Sequence, residues 1–245
     1  MQRITISPTQ IHANQIALTT EQHHYLTRVI RLQTGAQFQA IDGTRQLYLA
    51  EILPDTGLRT AAGTAKIIQI SITLSPELPP ITLICALPKG NSFDEIVRAC
   101  TELGVTTIRP AISDRTLLHP SPQKCQRWHK IAQEATEQSE RLVSPTIAAP
   151  QALPTIFSQL TDPSYKYLCE ARGEHPHLLT TLQARQLQDL PISIAIGPEG
   201  GWTDGEINLA IEYNFQLVSL GQNILRTITA PIVALAIVTA ALENP

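Results

Sequence analysis

No C-x-x-C pair occurs in these 245 residues, whose four cysteines stand at 85, 100, 125 and 169. That spacing excludes a zinc ribbon and a thioredoxin-type redox pair, so no metal site is expected. The cysteines read as buried free thiols, small hydrophobes suited to a reducing compartment. Long hydrophobic runs are missing too. The longest, 228–242, contains Pro231 and falls short of the roughly 20 residues that span a bilayer. The first residues, with Arg3, Thr5, Pro8 and Gln10, offer no apolar stretch for a signal peptide. These absences lead to the expectation of a cytoplasmic chain with no membrane contact. A basic excess is likewise lacking: 18 Lys and Arg face 21 Asp and Glu, a net charge of −3. Any contact with RNA must therefore come from local patches of Arg and Lys. The imbalance is uneven, because residues 142–245 hold four of those cations and nine of the acids.

What is present is a globular composition, 43% hydrophobic with 16% charged residues, enough apolar material to offset the cost of ordering the chain. Residues 71–80 read SITLSPELPP, a proline-rich stretch that marks a domain boundary. Before it, Gln37–Ile41 and Gln46–Ile52 carry β-formers and Asp42-Gly43 supplies a turn, while Thr20–Arg31 has a helical pattern. The first 72 residues thus read as a small β-rich module with one helix.

Beyond the boundary, short continuous apolar runs alternate with amphipathic helices, the pattern of a parallel sheet covered on both faces. The runs are Ile81–Leu87, Thr106–Ile112, Tyr165–Ala171, Ile192–Ile196 and Gln216–Leu220. One helix opens at a Ser92-x-x-Glu95 capping box and stops at Gly104. A second runs from Ser121-Pro122 to about Glu140, and a third opens at Thr203-x-x-Glu206. The last, Thr229 to Leu242, is apolar nearly all round and needs burial against the sheet or another subunit.

Two loops stand out for chemistry. Ile196-Gly197-Pro198-Glu199-Gly200-Gly201-Trp202 follows a strand and leads into a capped helix, and ligands of open α/β sheets bind beyond the carboxyl ends of strands. The alternative is a tight turn with no ligand. Leu220-Gly221-Gln222-Asn223-Ile224-Leu225-Arg226-Thr227 also follows a strand, and the two loops can form two walls of one pocket. Arg226 is the last cation of the chain. It either ties down neighbouring carbonyls or a surface carboxylate, or holds an anionic substrate or a developing negative charge. Neither common nucleotide-phosphate spacing is present. Trp128 and Trp202 read as core and pocket-rim packing, and His23 and His24 as surface residues.

GPEGGWTDGEI at 197–207 and SLGQNILRT at 219–227 closely resemble the C-terminal signature of the RsmE-type RNA methyltransferases of the SPOUT superfamily, which methylate N3 of a uridine in 16S ribosomal RNA. Ala86-Leu87-Pro88-Lys89-Gly90, Thr101-Glu102-Leu103-Gly104-Val105, Arg127-Trp128-His129-Lys130-Ile131-Ala132 and His24 to Leu32 with Asp42-Gly43 are similar to family stretches as well. The resemblance spans almost the whole chain. It implies a fold of class α/β: an N-terminal PUA-like β-barrel module for RNA at 1–72, a linker at 73–80, and at 81–245 a mainly parallel α/β domain with a C-terminal trefoil knot. It also implies a homodimer, which the apolar last helix suggests independently, and S-adenosylmethionine as cofactor. The expected cofactor contacts are Ile196, Gly197, Pro198, Glu199, Gly200, Gly201, Leu220, Gly221, Ile224, Leu225 and Thr227, with Arg226 as the catalytic cation. For 16S ribosomal RNA or the small ribosomal subunit, the expected contacts are Arg3, Arg28 and Arg31, the last two on one helix face, then Lys89, Arg115 and Arg141.

Four positions, in three places, depart from the family pattern. Asn91-Ser92 replaces an acidic residue followed by Arg or Lys, Glu140 stands where a Gly is usual, and Ile228 replaces a Glu. If that Glu is the family's base, the proton acceptor here is another group, with Glu199 the nearest carboxylate by motif. A catalytically impaired knotted RNA-binding protein, or a methyltransferase for another RNA, are the competing readings.

Overall fold

The computed structural model describes residues 1–54, 63–72, 78–116, 120–160, 163–185 and 190–243. Two compact units emerge, Met1–Pro76 with Thr136–Ser144, and Glu77–Ala135 with Pro145–Pro245. The expected linker at 73–80 lies mostly outside the described residues.

In the first unit the strands are β1 (Arg3–Thr5), β2 (Ile11–His12), β3 (Gln15–Leu18), β4 (Gln37–Ile41), β5 (Gln46–Ile52) and β6 (Gly63–Ile72). They form one sheet in the order β1-β4-β5-β6-β3-β2, with β1 parallel to β4 and the other pairs antiparallel. Alternate residues such as Phe38, Ala40, Ala50, Ala65 and Ile67 enter its core beside Leu26, the period-two burial of a sheet with one dry face. The Asp42-Gly43 turn is built as its residues require. Gly43 has φ +77°, and Asp42 accepts hydrogen bonds from Thr44 N (2.8 Å), Thr44 Oγ1 (2.7 Å) and Tyr48 Oη (2.8 Å). Burial acts to raise the Asp42 pKa, yet those bonds outweigh it and hold the carboxyl below its usual range.

The helix expected over 20–31 is shorter and changes winding. α1 (Thr20–His24) passes into a π-helical turn over Tyr25–Val29, and Arg31 takes φ +63°. Arg28 and Arg31 therefore do not share a helical face, because Arg31 has already left the helix.

The second unit carries β7 (Ile81–Ala86), α2 (Ser92–Glu102), β8 (Thr107–Ile112), α3 (Pro122–Gln138), β9 (Thr146–Ile147), β10 (Gln151–Ala152) and α4 (Leu153–Ser158). It continues with β11 (Tyr165–Cys169), α5 (Leu178–Ala184), β12 (Ile192–Ile196), α6 (Asp204–Glu212), β13 (Gln216–Val218) and α7 (Thr229–Glu243). The sheet order is β10-β8-β7-β12-β11-β13, with β9 also on β8, and every described pair is parallel. Both faces are dry, as the continuous apolar runs require. Leu83, Cys85, Ile194 and Tyr167 pack toward Trp128, Leu178, Leu235 and Val238, while Ile84, Leu168 and Ala195 pack toward Phe157, Ala210 and Phe215.

Helix ends follow their chemistry, with one correction. Thr203 and Glu206 form the expected capping box of α6, worth about 1 kcal/mol. For α2 the cap is Asn91, whose carbonyl accepts Asp94 N–H, so Ser92 is the first helical residue and no Ser92–Glu95 box forms. Gly104 (φ +90°) ends α2, with Val105 N–H reaching Cys100 O.

Glu140 occupies the same place after α3. It has φ +58°, and Arg141 N–H bonds Thr136 O across it. A glycine serves this left-handed position without strain, which accounts for the departure noted above as a local cost of roughly 1 kcal/mol. The Arg3 ion pair to Glu140, 3.7 Å long with the carboxylate side chain 74% exposed, offsets little of it. Glu140→Gly is therefore expected to raise the melting temperature by about 2–4 °C, as read by differential scanning calorimetry; a fall would show that the ion pair outweighs the backbone strain.

Candidate functional site

Three strand ends meet at one height. Cys169, the last residue of β11, pairs with Ile196 at the end of β12 and with Val218 at the end of β13. The loops that follow enclose a cleft of about 760 Å³, counted with its open mouth. Of the residues expected to touch a cofactor, Ile196, Gly197, Pro198, Glu199 and Gly201 line it from one loop. Leu220, Gly221, Ile224, Leu225 and Thr227 line it from the other. Gly200 stands outside the lining, and a Cβ on it would meet Arg115 Cδ at 2.9 Å.

The 196–202 loop is held by its own turn and by outside struts. Gly201 N–H bonds Pro198 O at 2.9 Å, and Trp202 Nε1 donates to Cys169 O at 3.1 Å, joining two of the three loops. The indole lies against Gly197, where a Cβ would come within 3.1 Å of the ring, so the glycine there answers a packing demand. Glu199 Oε1 accepts the Lys89 N–H at 3.0 Å, tying the segment after β7 to this loop. Arg115 bonds the carbonyls of Gly200, Gly201 and Trp202. Glu206, buried at the start of α6, accepts Asp114 N–H (2.9 Å) and Thr203 N–H (2.8 Å).

Arg226 is exposed and sits between two residues that line the cleft, Leu225 and Thr227. Its carbonyl accepts the N–H groups of Thr229 and Ala230, anchoring the start of α7. Among the described residues its guanidinium has no hydrogen bond or ion pair, so the tie to carbonyls or to a surface carboxylate is not made. Ile228 is half-buried and outside the lining.

The expected RNA contacts divide. Arg28, Arg31 and Lys89 are exposed. Arg3 is not: it is 7% accessible and gives two hydrogen bonds to Gln39 Oε1, so it is a structural cation of the sheet. Arg115 is occupied by the 200–202 carbonyls. Arg141 belongs to the first unit, and burial lowers its pKa. The thiols of Cys85 and Cys169 are pushed up to about 12 by burial, helped at Cys85 by the charge of Glu199, so neither is a thiolate near neutral pH. No group of His, Cys, Asp and Glu able to hold a metal occurs among the described residues.

Sequence reasoning missed the third wall, Cys169 to Arg172, and with it Glu170 and Arg172. The rule that ligands sit beyond strand ends applied equally to the 165–171 run, but nothing in its composition marks it as the middle strand of the three.

Comparison with known proteins gives this site its class. A family model described as an RNA methyltransferase domain matches residues 76–239, and another described as an RNA methyltransferase PUA domain matches residues 18–56. Ribosomal RNA small subunit methyltransferase E of Synechocystis sp. is 45% identical over 244 residues, covering 99% of this chain and 78% of that protein. Its namesake in Rickettsia conorii is 31% identical, covering 96% and 93%. The crystal structure of the Neisseria gonorrhoeae enzyme of that name, bound to S-adenosyl methionine, superposes with a TM-score of 0.86 at 27% identity, covering 98% of this chain and 97% of that one. The chain belongs to the ribosomal RNA small subunit methyltransferase E family.

The packing of Trp202 on Gly197 yields a direct test. Gly197→Ala is expected to cost about 1–3 kcal/mol through overpacking and to shift the tryptophan emission, since Trp128, the other indole, is buried elsewhere. Unchanged emission would contradict the placement of the ring.

Proposed function

We propose that this chain methylates N3 of a uridine in 16S ribosomal RNA of the small ribosomal subunit, with S-adenosylmethionine as donor, in the cytoplasm and as a homodimer. The observation that carries the reading is the three-walled cleft at the ends of β11, β12 and β13. Its residues fit the donor. Ile196, Leu220, Ile224 and Leu225 give an apolar lining, and Gly221 at φ +130° has nothing within 4 Å of where a Cβ would stand. A bound sulfonium supplies an electrophilic methyl group. The domain division at 73–80, the cofactor contacts named above and the exposed Arg28, Arg31 and Lys89 as RNA contacts belong to the same reading.

The chain's own contribution to transfer is positioning and charge. The N3–H proton passes to water at the open mouth of the cleft, the nitrogen lone pair bonds the methyl carbon, and the C–S bond breaks with its electron pair going to sulfur, leaving a neutral thioether. Arg226, with its donors uncommitted, stabilises negative charge on a uracil oxygen as N3 loses its proton. Its cation would repel a sulfonium, so it belongs to the RNA side of the cleft. Glu199 braces the loop through Oε1, which accepts Lys89 N–H, and it also lines the cleft, where its second oxygen is the nearest carboxylate acceptor by motif. The substitution at Ile228 favours the impaired RNA-binding reading, but that residue forms no wall of the cleft.

The decisive assay incubates the protein with methyl-labelled S-adenosylmethionine and small ribosomal subunits and digests the RNA to nucleosides. Label in N3-methyluridine is expected; binding of RNA without transfer would establish the impaired reading, and label in another nucleoside or another RNA would change the substrate. Arg226→Ala is expected to lower kcat by about 10²-fold or more while calorimetry gives an unchanged cofactor affinity. A harmless substitution would remove Arg226 from the chemistry.

Self-association rests on α7. Pro231, Ala234, Leu235 and Val238 are buried in the fold, whereas Ile232 and Val233 are half-exposed and Ala236 is exposed. An apolar stripe of this kind on a helix otherwise committed to the core fits a second copy of itself. Sedimentation is expected to show a dimer at micromolar concentration and a monomer for Ala236→Arg; a monomeric native protein would contradict the proposal.

A further inference from the structure

Among the described residues Arg172 is the one cation lining the cleft, and the glycine-bearing loop motifs do not include it. Its backbone N–H is fixed by Glu170 Oε1 at 2.8 Å, which sets the direction in which its side chain leaves the loop. That side chain crosses to the 196–202 loop: Nη1 lies 3.6 Å from where a Cβ on Gly201 would stand. Arg115 approaches the same point from the segment after β8, its Nη1 at 4.0 Å. Gly201, at φ +73° and without a side chain, leaves the space into which both guanidinium groups reach.

Two like charges are thus brought to one point at the mouth. Arg115 uses hydrogen bonds to carbonyls, which leave its charge uncancelled. Among the described residues the Arg172 guanidinium has no hydrogen bond or ion pair at all, although Glu170 and Glu199 line the same cleft. A guanidinium offers five N–H donors in a planar fork matched to phosphate oxygens. Convergent cations without a carboxylate partner create a local positive potential that an anion relieves. The sulfonium of the donor gains nothing from them, whereas an RNA backbone presents a phosphate on either side of any nucleotide placed in the cleft.

We propose that Arg172, supported by Arg115 over Gly201, clamps a backbone phosphate next to the target nucleotide and so positions the base at the cleft. This rests on the reading of the chain as an RNA methyltransferase. Arg172 is a positioning residue: the interaction is made on binding and is retained through transfer, so its loss falls on KM. Phosphate contact also ties affinity to salt, each contact adding close to one unit to the slope of log affinity against log salt.

The test compares the native protein with Arg172→Ala and Arg172→Lys. Arg115 is left intact, because it also braces the loop. Affinity for small ribosomal subunits is measured at several salt concentrations, turnover is measured where the native protein shows it, and S-adenosylmethionine affinity is measured by calorimetry. Arg172→Ala is expected to raise KM for the RNA about tenfold, to reduce the salt slope by close to one unit and to leave the cofactor affinity within twofold. Arg172→Lys, which keeps the charge, is expected to retain the slope and recover part of the affinity. An unchanged RNA affinity and slope would overturn the proposal. A loss of cofactor affinity with RNA binding intact would also overturn it, assigning Arg172 to the donor's carboxylate. Absence of transfer by the native protein would count against the methyltransferase reading alone, since the salt slope is read from binding and still decides the clamp.

Discussion

The parallel pairing of β11 between β12 and β13 is the constraint on which the site depends. Cys169 stands opposite Ile196 on one side and Val218 on the other. With those three residues level, the chain must leave three adjacent strands at the same height, and the space between the departing loops becomes a cleft. A slip of one residue in either pairing would turn the side chains of a strand to the opposite face of the sheet. Both faces are packed, so the dry core on each side enforces the register that places the loops.

Loops of this kind need internal support, because glycine supplies reach but no rigidity. Each strut around 196–202 draws on a different part of the second unit. Trp202 bonds the end of β11, Glu199 bonds the segment after β7, and Arg115 bonds from the segment after β8. Glu206 then ties the start of α6 to Asp114. Glu199, the carboxylate nearest by motif, both lines the cleft and braces its loop through Oε1. Arg115, expected to contact RNA, braces the same loop, while Arg172, in a stretch without a motif, has an uncommitted guanidinium, as Arg226 does.

Much of the architecture is legible in the sequence for physical reasons. Ile192–Ile196 reads as a buried strand because all five residues are buried, and Thr203 and Glu206 announce their helix because a capping box is local chemistry. Gly104 marks a helix end for the same reason. Other features depend on partners distant in the chain. The order of the strands, and so the third wall of the cleft, follows from pairing that periodicity does not encode. Arg3 looks like any surface cation until Gln39 and the buried sheet edge take it in. The π-helical turn at Tyr25–Val29 ends before Arg31, so the i, i+3 spacing of Arg28 and Arg31 no longer describes a shared helical face. The knot implied by the family resemblance lies equally beyond periodicity, since general topology argues against one.

The central claim, that the walls at 169–172, 196–202 and 220–227 form one site for S-adenosylmethionine, is tested most directly by tryptophan emission during a cofactor titration. Both indoles are buried, but Trp202 lines the cleft and Trp128 does not. The account predicts a saturable change in emission with S-adenosylmethionine that is absent in Trp202→Phe, even where calorimetry on that variant still registers binding. Binding by calorimetry with no change in the emission of the native protein would place the cofactor elsewhere and contradict the account.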